Sequence, residues 1–174
     1  MSETSTKVYC IDSSAFITLN RVYTMGFLPE DIWKLMQDLF DCERIVSHEF
    51  VYAEICPKTS KSDFLAKWIK KNSSHFFPVT VRQTQLVTDI LAKFSSLINS
   101  AKEINEADPW VIALAIEKRE SSDLFGRYAN LVVVSNENEK SAVKIPAACK
   151  EFGIPHLGLK DFFSDNGWKI KLET

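Results

Sequence analysis

Several short stretches of this chain are apolar at nearly every consecutive position: VYCI (8–11), RIVS (44–47), HFFPV (75–79), LVVVS (131–135) and PHLGL (155–159). A strand with one wet face alternates apolar and polar residues, so an unbroken run implies burial on both faces. Between these runs lie amphipathic, helix-length segments at 14–24, 30–42, 48–55, 60–71, 81–99, 109–120, 141–152 and 160–166. Strand and helix in alternation predict an α/β fold with a mainly parallel sheet covered by helices. Local signals agree: Pro29 and Pro57 punctuate the helices, Asp108-Pro109 reads as a cap followed by a first-turn proline, and Gly153 marks a helix stop. The stretch SSDLFGRYAN (121–130) reads as a loop.

The 174 residues, 45% of them hydrophobic, suffice for one sizeable core but not for two ordinary domains. Residues 1–174 are therefore read as a single domain, with 1–6 as a flexible tail. A net charge of −2 excludes a uniformly basic nucleic-acid coat, so a polyanionic partner would have to be met by a local patch. Cys10, Cys42, Cys56 and Cys149 form no CxxC pair, and His48, His75 and His156 are isolated, which argues against a zinc site or a disulfide framework. The thiols are expected to be reduced. No apolar run follows the polar opening, and none approaches the roughly 20 residues that span a bilayer. A cytoplasmic protein without a membrane partner is expected.

Ligands of open parallel sheets bind beyond the carboxyl ends of the strands. Those ends are acidic here. The first run leads into Asp12-Ser13-Ser14, the second into Ser47 and then Glu54, and LVVVS into Asn136-Glu137-Asn138-Glu139, while Asp108 opens a helix that a crossover would bring to the same edge. Carboxylates gathered so closely repel one another unless a cation neutralises them or some stay protonated. With only oxygen donors in the set, a hard ion such as Mg²⁺ or Mn²⁺ suits the site better than zinc. Such ions activate water and clamp phosphate oxygens in phosphodiester hydrolysis.

The segments YCIDSS, IVSHEFVYAEI, EADPWVIALA and VVVSNENE, with the following KIPAACKEFGIPHLGLKDFF, together resemble the PIN-domain nucleases, among them the toxin ribonucleases of bacterial type II toxin–antitoxin pairs. The resemblance implies a three-layer α/β/α sandwich and an Mg²⁺- or Mn²⁺-dependent ribonuclease site. It matches Asp12, Glu54 and Asp108 to the family's first three acids and Ser14 to a nearby hydroxyl. Glu137 stands two residues after Ser135, where the family usually has aspartate two after threonine. Catalytic and metal-binding roles thus fall on Asp12, Glu54, Asp108 and Glu137, with Ser14 orienting a carboxylate. An RNA substrate and a cognate antitoxin are the implied partners, and a homodimer is left open.

Each residue also has a plainer reading. Asp12 and Asp108 could simply cap helices, and NENEK could be a polar loop. His48 reads as a capping or surface group. Trp33, Phe40, Phe64, Trp68, Phe94 and Trp110 recur at helical spacing and read as core. Lys58, Lys61, Lys67, Lys70 and Lys71 form the densest positive patch. They are the candidate contacts to a nucleic-acid backbone, against the default of a solvated helix face. Two further functions remain open beside the nuclease: a catalytically weak PIN-like module that binds RNA or protein, and a phosphoacceptor signalling domain. The second would want an acid at the end of a central strand, and HFFPV offers none.

Overall fold

A computed structural model describes residues 6–22, 30–57, 63–98, 106–122, 126–138 and 140–168. In chain order these form β1 (Val8–Ile11), α1 (Ser13–Val22), α2 (Glu30–Asp41), β2 (Ile45–His48), α3 (Glu49–Ile55), α4 (Phe64–Lys71), β3 (Phe76–Phe77), α5 (Val81–Lys93), α6 (Asp108–Glu120), β4 (Leu131–Val134), α7 (Ile145–Glu151), β5 (His156–Leu157) and α8 (Leu159–Asp165). The strands make one sheet in the order β3-β2-β1-β4-β5, and every pairing is parallel. This is the α/β fold with a parallel sheet expected from the apolar runs, in the three-layer form that the resemblance implies.

Strand order sets where a ligand can sit. The chain moves from β1 outward to β2 and β3, then returns to the other side of β1 for β4 and β5. Right-handed crossovers therefore place α1 to α4 on one face and α5 to α7 on the other. Packing agrees, since α1, α3 and α4 contact one another and α6 contacts α5 and α7. The strand order reverses between β1 and β4, and in sheets of this topology ligands bind beyond the carboxyl ends at that point.

The core explains why α6 shows little amphipathicity. Its residues from Val111 to Ile116 are all buried, packed on β1, β2 and β4 below and on α5 and α7 at the sides. A helix enclosed on every side has no polar face to maintain. On the other face Phe16, Trp33, Phe40, Trp68 and Phe76 pack ring to ring, with centroids 5.0 Å apart for Trp33–Trp68 and 5.2 Å for Phe40–Trp68. Phe64 departs from the expected core set: it is 46% exposed and covers the Trp33 ring from outside. Phe94 and Trp110 are only partly buried.

Several boundaries shift for local reasons. The second strand gains His48 and loses Arg44. The helix expected over 81–99 stops at Lys93, and a 3₁₀ turn follows over Ser95–Leu97, with Ser96 Oγ donating to Val143 O at 3.3 Å. The helix expected from 141 begins at Ile145 because Pro146 occupies its first turn, a place where a missing N–H costs nothing, whereas an earlier start would clash with the ring. Asp63 caps α4 by accepting the Ala66 N–H at 2.9 Å. Residues 23–24 and 60–62 of the expected helices, and 123–125 of the expected loop, lie outside the described residues, as do Pro29, Lys58, Lys61 and Glu139.

Candidate metal centre at the sheet edge

Asp12 follows β1 directly, and its N–H still donates to Val134 O at 2.9 Å, so the residue is held beside the end of β4 by the sheet itself. Its side chain is divided in use. Oδ2 accepts the Ser14 N–H at 3.0 Å and the Ser14 hydroxyl at 2.6 Å, which caps the first turn of α1. Oδ1 is buried without a hydrogen-bond partner, one of two such side-chain atoms among the described residues. The residue is 1% exposed. Burial pushes its carboxyl up to about 6; the bonds from Ser14 pull it back, and the charge of Glu54 adds to the rise. Capping thus uses one oxygen of Asp12 and leaves the other without a hydrogen-bond partner.

Ser14 does more than meet Asp12. Its Oγ also accepts the Asn136 N–H at 3.0 Å, and Asn136 Nδ2 donates to Thr18 Oγ1 at 3.0 Å. The segment leaving β4 is thereby fastened to α1 beside Asp12. Sequence reasoning gives Asn136 no role, and nothing local marks it, because its partners Ser14 and Thr18 lie far away in the chain.

Glu54 is exposed overall, yet its carboxylate is fully engaged. Oε2 accepts the Ser13 hydroxyl at 2.5 Å, and Oε1 accepts the Ala107 N–H at 3.0 Å. The sequence predicts Asp108 as the cap of its helix; instead Ala107 takes the capping position without a side-chain bond, and Asp108 is the first residue of α6. A carboxyl at a helix N-terminus ordinarily ionises easily. Here it is pushed up to about 8, by burial first and then by the charges of Asp12, Glu137 and Glu54, with Lys144 working the other way. Asp108 thus feels the charges of Asp12, Glu137 and Glu54 together.

Glu137 is pinned at both oxygens. Oε2 accepts the Ile145 N–H at 2.9 Å, capping α7, and Oε1 lies 3.4 Å from Lys144 Nζ. Among the described residues no group of three or more His, Cys, Asp and Glu side chains stands in a geometry that would close on a metal ion. The chemistry of the donors nevertheless fits a hard divalent cation: all are carboxylates, they repel one another, and a buried oxygen lacks a partner. Glu54 and Glu137 each hold a contact at both oxygens, so an ion would share those oxygens with their present partners or displace one of them.

The remaining candidates fall elsewhere. His48 is buried and caps α3 through Nδ1, which accepts the Phe50 N–H at 3.1 Å. Its proton therefore sits on Nε2, which donates to Gln83 Oε1 at 3.0 Å. The capping role expected for it holds, but the residue is not on the surface. Lys67, Lys70 and Lys71 lie exposed on α4 opposite the buried Leu65, Ala66, Trp68 and Ile69. Among the described residues no helix is long and apolar enough to cross a membrane.

Comparison with curated proteins found no match. Residues 9–170, which include β1 from Tyr9 onward and every acid of the edge, match a family described as a domain of unknown function, DUF4411. The chain belongs to the DUF4411 family.

Proposed function

We propose that this protein is a metal-dependent endoribonuclease of PIN-like type, in which Asp12, Glu54, Asp108 and Glu137 hold Mg²⁺ or Mn²⁺ and hydrolyse RNA phosphodiester bonds. The observation that carries the reading is Asp12 Oδ1, a buried carboxylate oxygen without a partner at the point where the strand order reverses. Buried polar atoms are nearly always paired, so an orphan within an acid cluster argues for a cation. When bound, a hard divalent cation would supply Lewis acidity toward water and phosphate oxygens. The chain's own contribution is placement. Ser14 holds Asp12 Oδ2 so that Oδ1 keeps one direction, and the Asn136 bonds keep the Glu137 segment beside it. By the same resemblance, a cognate antitoxin protein would cover this edge.

The test is cleavage of a labelled single-stranded RNA by purified protein with Mn²⁺ and with EDTA, beside Asp12→Asn. Metal-dependent cleavage lost in the variant supports the proposal, and cleavage that survives EDTA sinks it. One observation favours a second reading, a PIN-like module that binds RNA or protein without cutting: Glu54 and Glu137 already have partners at both oxygens. RNA retention without cleavage in Mn²⁺ would select it.

A further inference from the structure

The acid cluster contains a cation of its own. Lys144 Nζ lies 3.4 Å from Glu137 Oε1, and its charge is felt at Asp108, where it opposes the combined push of three carboxylates. The placement follows from the chain. With Pro146 holding back the start of α7, Lys144 is left extended at the capping position, φ −114° and ψ 175°. The N–H of the next residue is then free to donate to Glu137 Oε2. Adjacent residues thus hold the two oxygens of one carboxylate, by contacts of different strength.

The backbone contact is an ordinary hydrogen bond at 2.9 Å. The ammonium contact, at 3.4 Å, lies beyond hydrogen-bonding distance and is a charge contact alone. Surface ion pairs elsewhere in the molecule close further, 2.7 Å for Arg82–Glu120 and 2.5 Å for Lys93–Glu151. Lys144 also keeps 47% of its side chain exposed while Glu137 keeps 15%. The pair is a buried-side carboxylate attended by a half-solvated, movable cation, and such a pair shifts an equilibrium by no more than about fivefold.

We propose that Lys144 is the resident counter-ion of the acid cluster, neutralising Glu137 until a divalent cation enters and displaces it. The inference rests on the metal-site reading above and adds a competitor built into the chain. An ammonium and a divalent cation within a few ångströms of one oxygen repel each other strongly, so the two occupancies exclude one another. Linkage fixes the sign: removing the ammonium must tighten cation binding by the factor with which the cation expels the ammonium. A purely structural lysine predicts the reverse, since loosening Glu137 would weaken binding.

Titration calorimetry of the whole chain with Mn²⁺, at neutral pH and low salt, distinguishes these for the unmodified protein, Lys144→Gln and Lys144→Arg. The glutamine variant should bind Mn²⁺ roughly two- to fivefold more tightly, and the arginine variant should stay near the unmodified protein. Melting gives a second readout. In EDTA, Lys144→Gln should melt below the unmodified protein, whereas in saturating Mn²⁺ the gap should close or reverse. If glutamine disturbs the start of α7, Lys144→Met keeps the stem and carries the same expectation. Equal or weaker Mn²⁺ affinity in the neutral variants overturns the counter-ion and leaves the metal site standing. No Mn²⁺ binding by any of the proteins overturns both.

Discussion

Two buried polar residues end neighbouring strands of this sheet and are treated in opposite ways. His48, at the end of β2, is 0% exposed and has both ring nitrogens occupied, with Gln83 passing the contact on to Glu117 at 2.6 Å and Thr80 joining Glu117 at 2.5 Å. Asp12, beyond β1, is equally buried but leaves one oxygen without a partner. A fully satisfied network stiffens the fold. An unsatisfied group in the same layer raises the energy of the fold and so points to a partner outside the chain. The comparison separates stability from function within one edge of one sheet.

The largest effect should come from Asp12→Asn. Cleavage of RNA in Mn²⁺ should fall by about two to three orders of magnitude, as expected when several kcal/mol of charge stabilisation is removed. The metal-free protein should melt at the same temperature or a few degrees higher, because one charge leaves a repelling cluster. Strong destabilisation in EDTA would show that Asp12 belongs with His48 as a structural residue. Gln83→Leu is the mirror experiment. It strands His48 Nε2 and Glu117, costing about 1–3 kcal/mol, or roughly 2–12 °C of Tm for a chain of this size. Mn²⁺ affinity should not change; if it does, the two regions are coupled.

The regions should also respond to pH with opposite sign. Asp12 and Asp108 have carboxyls raised to about 6 and about 8 from 3.8, so the folded state holds their protons more tightly than the unfolded chain does. Their stabilising contribution is complete below about pH 4 and is lost as pH rises through 6 and 8. Burial lowers His48 below its ordinary 6.5, so its contribution is complete above that value and is lost on further acidification. Urea unfolding in EDTA across pH 5–9 should show Asp108→Asn flattening the alkaline fall and His48→Gln flattening the acid one. Saturating Mn²⁺ should flatten only the first.

The smallest effect belongs to residues outside both regions. Replacing Lys67, Lys70 and Lys71 with glutamine should leave melting unchanged within about 1 °C, as exposed surface positions predict. It should reduce the log–log salt slope of RNA binding by roughly 0.7 for each phosphate that a lysine no longer neutralises. An unchanged slope, measured by fluorescence anisotropy, would return this face of α4 to ordinary solvation.

How much of the molecule is legible in its residues follows from the range of the forces involved. The apolar runs locate β1, β2 and β4 because double burial leaves its mark on consecutive residues; the two-residue edge strands β3 and β5 are only partly buried and sit inside longer runs. The position of Asp12 is legible for the same reason, as a charge placed where an apolar run ends. Boundaries fail where a local competitor acts, as where Pro146 delays α7. Asp108 reads wrongly as a cap because Asp-Pro is a local signal, while the choice of Ala107 depends on Glu54 taking its N–H. Lys144, Asn136 and the free oxygen of Asp12 leave no trace in the sequence, since each is defined by a neighbour that only folding brings close.

The Glu54 carboxylate joins Ser13 of α1 to Ala107 at the start of α6, helices on opposite faces of the sheet. It works as a rivet through the open end of the sandwich. If Glu54 turns toward a cation, the rivet is withdrawn, and this end of the sandwich keeps the Phe50–Trp110 ring contact between α3 and α6 and whatever the ion and the remaining acids supply. Loading the site would thus replace a permanent fastening with a removable one, and the exchange rate of the Ala107 amide with solvent deuterium would record the change at a single atom.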